Sequence, residues 1–116
     1  MSPKPRFING VFAFAGQGLD KPGPLDPTTN YTVASDKRAQ LIYLRAGNSC
    51  AELIYLVVLR NGKPLRYFPI GAKDSVHVSL AVVEDIFPES KLEVQLAAPV
   101  GSSGTLVLDL GLLEVD

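Results

Sequence analysis

The chain reads as an all-β fold, two antiparallel sheets packed as a β-sandwich with jelly-roll-like winding and about eight strands. Three observations point there. Runs of β-branched and aromatic residues follow one another, separated by glycine, proline, asparagine and serine clusters. The Asn61-Gly62 pair supplies the two positive-φ residues of a type I′ hairpin turn between two apolar runs. Only residues 81–87 offer even one helical turn, and Pro88 would end it.

In chain order, residues 7–15 form a first strand, and residues 16–30 a long loop. Pro22, Pro24 and Pro27 remove backbone donors there, so neither a helix nor a central strand fits. At fifteen residues this loop is long for a compact domain. We expect it to be ordered and packed, with Leu19 or Leu25 largely buried in the assembled protein. Residues 31–34 make a short edge strand and residues 39–45 a clearer one, ending at Ala46-Gly47-Asn48-Ser49. The hairpin 51–60 and 63–70 comes next, then an alternating, half-exposed strand at 76–80. Leu92, Val94 and Leu96 define one face of a strand at 91–97, and residues 105–115 form the last.

At 116 residues the chain holds a single domain, 1–116, with one core. Apolar residues reach 47% against 20% charged, rich for a small domain with much surface to keep polar; the excess suggests a face buried in an oligomer. Eleven basic and twelve acidic residues are scattered without a basic stripe, which argues against nucleic acid. Cys50 stands alone, so no internal disulfide is possible, and a reducing compartment suits it. No apolar run approaches the roughly 18 residues of a membrane span, and Asn9-Gly10 interrupts the only signal-like segment. The expectation is a soluble, cytoplasmic protein without membrane insertion.

The hairpin is the most informative stretch. Residues 53–59 are apolar without a break, whereas a strand with one wet face should alternate. Both of its faces must therefore be covered. Continuous pairing from the turn sets Arg60 against Lys63, Leu59 against Pro64, Val57 against Arg66 and Tyr55 against Phe68. One face then carries Ile54, Leu56, Val58, Leu65 and Tyr67, the better core. The other carries Tyr55, Val57, Leu59, Arg66 and Phe68 with Pro64, a composition like an interface core. That face is expected to pack on a second copy, or else under the loop 16–30 of the same chain.

No catalytic constellation can be assembled. His77, the only histidine, lies between Val76 and Val78 and points away from them, toward solvent or a cleft. Metal sites gather three or four ligands at recognisable spacing; neither His-x-His nor Cys-x-x-Cys exists, so no metal and no cofactor is expected. Cys50 reads as a partly buried structural thiol. Gly16-Gln17-Gly18 lacks the third glycine and the helix of a dinucleotide fingerprint. Asp20, Asp26 and Asp36 read as a solvated loop. Asp109, an acid in an apolar strand, belongs on a wet face or paired with Arg66 or Arg45. Tyr31, Tyr43, Tyr55 and Tyr67 are candidates for a stacking platform, and His77 is a further candidate ligand-binding residue.

Some of these residues carry a resemblance. Val11-Phe12-Ala13-Phe14-Ala15-Gly16, Leu44-Arg45-Ala46-Gly47-Asn48 before Ala51-Glu52, Lys63-Pro64, and residues 72–78 with His77 resemble the sensory rhodopsin transducer family. The likeness spans roughly 70 residues. The arginine-rich segment before the histidine and the carboxy-terminal tail of that family are missing. What the resemblance implies is thus confined to a sandwich, an oligomer and no catalysis. The sequence supports a non-enzymatic accessory or partner-binding protein that self-associates, possible partners being itself or another protein; the alternative is a small-molecule or carbohydrate-binding module.

Overall fold

The computed structural model describes residues 3–116. The described residues form ten strands: β1 (Lys4–Ala15), β2 (Gly23–Pro24), β3 (Tyr31–Thr32), β4 (Arg38–Asn48), β5 (Ile54–Arg60), β6 (Lys63–Ile70), β7 (Ser75–Ser79), β8 (Asp85–Ile86), β9 (Lys91–Ala97) and β10 (Ser103–Val115). No α-helix occurs among the described residues; one 3-10 turn, Pro27–Thr29, lies in the long loop. Sheet A runs β1-β10-β4-β7, with β8 also on β4, and sheet B runs β2-β9-β5-β6, with β3 also on β9. The antiparallel partners nest: β1 with β10, β2 and β3 with β9, β4 with β7, β5 with β6. Pairings of β10 with β4 and β5 with β9 join the nested pairs into two sheets. This is jelly-roll winding, with eight strand positions in two layers.

The core lies between the sheets. Leu44, Ile54, Leu56, Ile70, Leu106, Leu108 and Leu110 are fully buried there, and Cys50 is a free thiol within it. At roughly 25 cal/mol for each Å² of apolar surface removed from water, this layer is the main stabilising term. Asn61 (φ 52) and Gly62 (φ 81) form the expected positive-φ turn.

The hairpin register corrects the sequence reading beyond its first two pairs. Arg60 faces Lys63 and Leu59 faces Pro64, but a bulge at Leu65 then sets Val58 against Arg66, Val57 against Tyr67 and Leu56 against Phe68. Proline has no N–H for the ladder, so a bulge beside Pro64 on this edge strand is where the extra residue goes. The slip by one residue exchanges faces. Phe68 is buried in the core at 5% exposure, while Tyr67 is on the outer face at 59%. Arg66 leaves the Val57 face as well, donating to the Val82 carbonyl and pairing with Glu84.

Residues 81–87 form bends and β8 instead of a helical turn. Asp85 accepts from Arg38 and Gln40 on β4, at 2.7 and 2.8 Å, and Glu84 sits between Arg60 and Arg66. Ladder pairing and these charge-assisted bonds outweigh a one-turn helix, which costs free energy to nucleate. Loop 16–30 runs along the β9 edge. Asp26 caps its 3-10 turn by accepting from the Thr28 amide, and the Leu25 amide donates to the Val94 carbonyl. Leu25 is half-buried against the core, whereas Leu19 is 40% exposed.

Candidate ligand-binding face

The outer face of sheet A is a grid set by strand register. One row across β1, β10, β4 and β7 reads Asn9, Asp109, Arg45, His77. The row on one side reads Val11, Val107, Gly47, Ser75, and that on the other Phe7, Gly111, Tyr43, Ser79. Alternation along each strand puts all twelve on the solvent side, opposite the leucines of the core.

Tyr43, Arg45, His77 and Asp109 form one cluster in this grid. The Tyr43 hydroxyl donates to Asp109 Oδ1 (3.1 Å), and Arg45 Nη2 donates to Oδ2 (2.5 Å). The guanidinium lies 5.5 Å from the Tyr43 ring centroid, and His77 meets that ring edge-on at 6.3 Å. Glycine makes this possible: a methyl group on Gly111 would fall 2.1 Å from Tyr43 Cε2. Partial burial and then the bond to Asp109 raise the Tyr43 phenol above its ordinary value, so it stays a donor. The carboxylate of Asp109 likewise raises Arg45.

Beside the cluster runs a shallow groove of about 620 Å³, lined by Arg45, Gly47, Ser75, His77, Val107 and Asp109. It exists because Gly47 has no side chain and Ser75 a short one. A methyl group on Gly47 would touch nothing within 4 Å, so the position is open space above the sheet. The floor is backbone, the walls are Val107 and His77, and fixed donors and acceptors line one end.

The sequence candidates divide. Tyr43 and His77 come together on sheet A. Tyr55 and Tyr67 pack against each other on the outer face of sheet B, ring centroids 5.7 Å apart and planes tilted at 59°, with the Tyr55 hydroxyl donating to the Leu19 carbonyl (2.8 Å). Tyr31 lies elsewhere, donating to Glu114 Oε2 at 2.7 Å, while Arg6 donates to Oε1 at 3.2 Å. Those two bonds, Tyr31 first, hold Glu114 below the usual carboxylate range; burial and then Glu114 push Tyr31 up to about 12. The four tyrosines therefore make no common platform. Val57 and Leu59 are 1% and 7% exposed within the single chain. Their same-face neighbours across the ladder are Tyr67 and Gln95, and Pro64 and Glu93. Sequence reasoning missed Arg45, Gly47 and Asp109 as one site; only the Arg45–Asp109 pairing was among its options. Among the described residues no three His, Cys, Asp or Glu side chains gather as a metal site.

No protein-family model matches the chain, and no curated protein matches it. Solved structures do. The CBM36-1 domain of a multidomain xylanase from the hindgut metagenome of Trinervitermes trinervoides superposes with a TM-score of 0.58 at 12% identity, over 95% of this chain and 96% of that one. The insecticidal delta-endotoxin Cry8Ea1 of Bacillus thuringiensis matches with a TM-score of 0.52 at 10% identity; it covers 90% of this chain, which spans 19% of the toxin. At such identities the likeness establishes the fold: the chain is a two-sheet β-sandwich. No helix among the described residues is long and apolar enough to cross a membrane.

Proposed function

We propose that the chain is a non-catalytic binding module whose ligand is a saccharide, held on the outer face of sheet A. The observation that carries this reading is the groove over Gly47, bordered by the fixed Tyr43–Arg45–Asp109 group and by His77. A sugar ring has apolar C–H faces and a rim of hydroxyls. It can lie between Val107 and the His77 ring while Arg45 donates to it and Asp109 accepts from it. The end-to-end match to a domain of a multidomain xylanase supports a saccharide over other polar ligands. A non-catalytic role is supported by the separation of the reactive groups: Cys50 is in the core and His77 is on the outer face.

Titration calorimetry against a panel of neutral oligosaccharides tests this. We expect a dissociation constant of about 0.1–1 mM for the best of them, as for a shallow open site. Gly47→Val, which puts a branched side chain into the groove at a position where a Cβ meets nothing within 4 Å, and Arg45→Ala should each remove the heat. Tyr67→Ala on the other sheet should leave it unchanged. Binding that survives Gly47→Val and Arg45→Ala, or no saccharide binding at all, refutes the assignment.

A further inference from the structure

We infer that β1 is a homodimerisation edge, pairing antiparallel with β1 of a second copy about a two-fold axis at Asn9. β1 is twelve residues long and ends sheet A, so only β10 satisfies its backbone. No turn or loop backbone bond reaches residues 4–15 among those described. A free strand edge is a template for another strand, and proteins normally blunt it with proline, charge, a bulge or brevity. The other edges of this sandwich carry such devices. β6 has Pro64, Pro69, Lys63 and its bulge, β7 has five residues, and β2 and β3 have two each. β1 has such devices only in its first three residues, Lys4, Pro5 and Arg6; from Phe7 to Ala15, around the axis, it has neither a proline nor a charge.

The side chains select the second copy as occupant. Phe7 and Val11 point to solvent at 58% and 69% exposure, the same distance on either side of Asn9. Antiparallel pairing about Asn9 places each Phe7 opposite the other copy's Val11, so both exposed apolar groups gain an aromatic–aliphatic cross-strand partner. Charge agrees with this register. Arg6 falls opposite Phe12 and Lys4 opposite Phe14, so neither cation meets its like. The two Arg6 side chains stand six positions, about 20 Å, apart. A parallel pairing in register would instead stack Lys4 on Lys4 and Arg6 on Arg6.

The product is one continuous sheet eight strand positions wide, four from each copy. An antiparallel two-fold through a sheet keeps corresponding faces on the same side, so both Gly47 grooves open on one surface. A long ligand spanning both would gain effective concentration for the second contact without any new interaction. The dimer itself does not depend on what the groove binds.

Sedimentation velocity on the full chain, from low to high micromolar concentration, tests the pairing. We expect a reversible dimer, with amide exchange at residues 7–11 slowing as concentration rises. Val11→Lys and Phe7→Glu, both at exposed positions, should each weaken it by roughly tenfold or more. Combined in one chain they place opposite charges face to face across the axis and should restore most of the affinity, a recovery that misfolding cannot imitate. A monomer at every concentration overturns the proposal. So does a dimer indifferent to the two single substitutions, or a double variant no better than either of them.

Discussion

The two outer faces of this sandwich solve the same problem in opposite ways. Sheet B presents Tyr55, Val57 and Leu59 on its central strand, yet Val57 is 1% exposed, because long neighbours lie over it. Sheet A presents Gly111, Gly47, Ser75 and Ser79 among its outer positions, which leaves Tyr43, Arg45 and Asp109 standing around open space. One face is closed by the chain's own side chains, the other is held open by their absence. An apolar run in a strand thus does not by itself mark a binding surface. A short residue beside a fixed polar cluster is the better indicator.

The largest expected effect tests the register that decides which residues close sheet B. Phe68→Ala should destabilise by about 3–5 kcal/mol, as for a large core truncation. Tyr67→Ala should cost less than about 1 kcal/mol, because its ring is largely in water. Chemical denaturation measures both; the reverse order would restore the unbulged register and dissolve the contrast between the faces. On sheet A, Gly111→Ala drives a methyl group into the Tyr43 ring. We expect a loss of about 1–3 kcal/mol from overpacking. Saccharide binding should fall with it, because the displaced ring releases Asp109.

The tie between the sheets gives a pH signature. Glu114 is held below its ordinary value by Tyr31 and then Arg6, so its stabilisation is fully present above about pH 4.5 and is lost as pH falls through the depressed folded value. Glu114→Gln should flatten that acid limb of the stability profile. Tyr31 has the opposite sign. Its folded value of about 12 favours the neutral phenol, so stability is lost as pH rises from about 10 toward that value. Because burial is the first cause of that rise, Glu114→Gln should lower the phenol only part of the way. A phenolate absorbance titration that returned to the ordinary tyrosine value would show the carboxylate to be the main cause.

Local chemistry made most of the fold legible. Asn61-Gly62 sets the hairpin, the prolines of 16–30 exclude regular structure over most of the loop, and Leu92, Val94 and Leu96 mark the buried side of β9. The failures lie where long-range partners decide. Pro64 was a visible warning of a bulge, but its effect on Arg66, Tyr67 and Phe68 depends on which strand edge faces solvent. Residues 81–87 read as a helical turn until Arg38, Gln40, Arg60 and Arg66 are brought to Asp85 and Glu84. The site was less legible than the fold. Arg45 and Asp109 are 64 residues apart in sequence, and only the β10–β4 register makes them neighbours.

The smallest predicted effect concerns how sheet B stays closed at its tip. Asn61 does two jobs. Its backbone takes the left-handed conformation the turn requires, at φ 52, and its side chain docks the hairpin on the start of β9. There the Asn61 amide donates to the Lys91 carbonyl at 2.8 Å, and Asn61 Oδ1 accepts from the Lys91 amide at 2.9 Å. Asn61→Gly keeps the conformation and the backbone bond but removes the side-chain acceptor. Since water can replace that partner at an exposed tip, the cost should be about 0.5–1 kcal/mol. Asn61→Ala removes the acceptor and adds the penalty of a left-handed alanine, about 1 kcal/mol more. Equal losses for glycine and alanine would mean that conformation contributes nothing. No loss for glycine would mean that the hairpin stands without its anchor on β9.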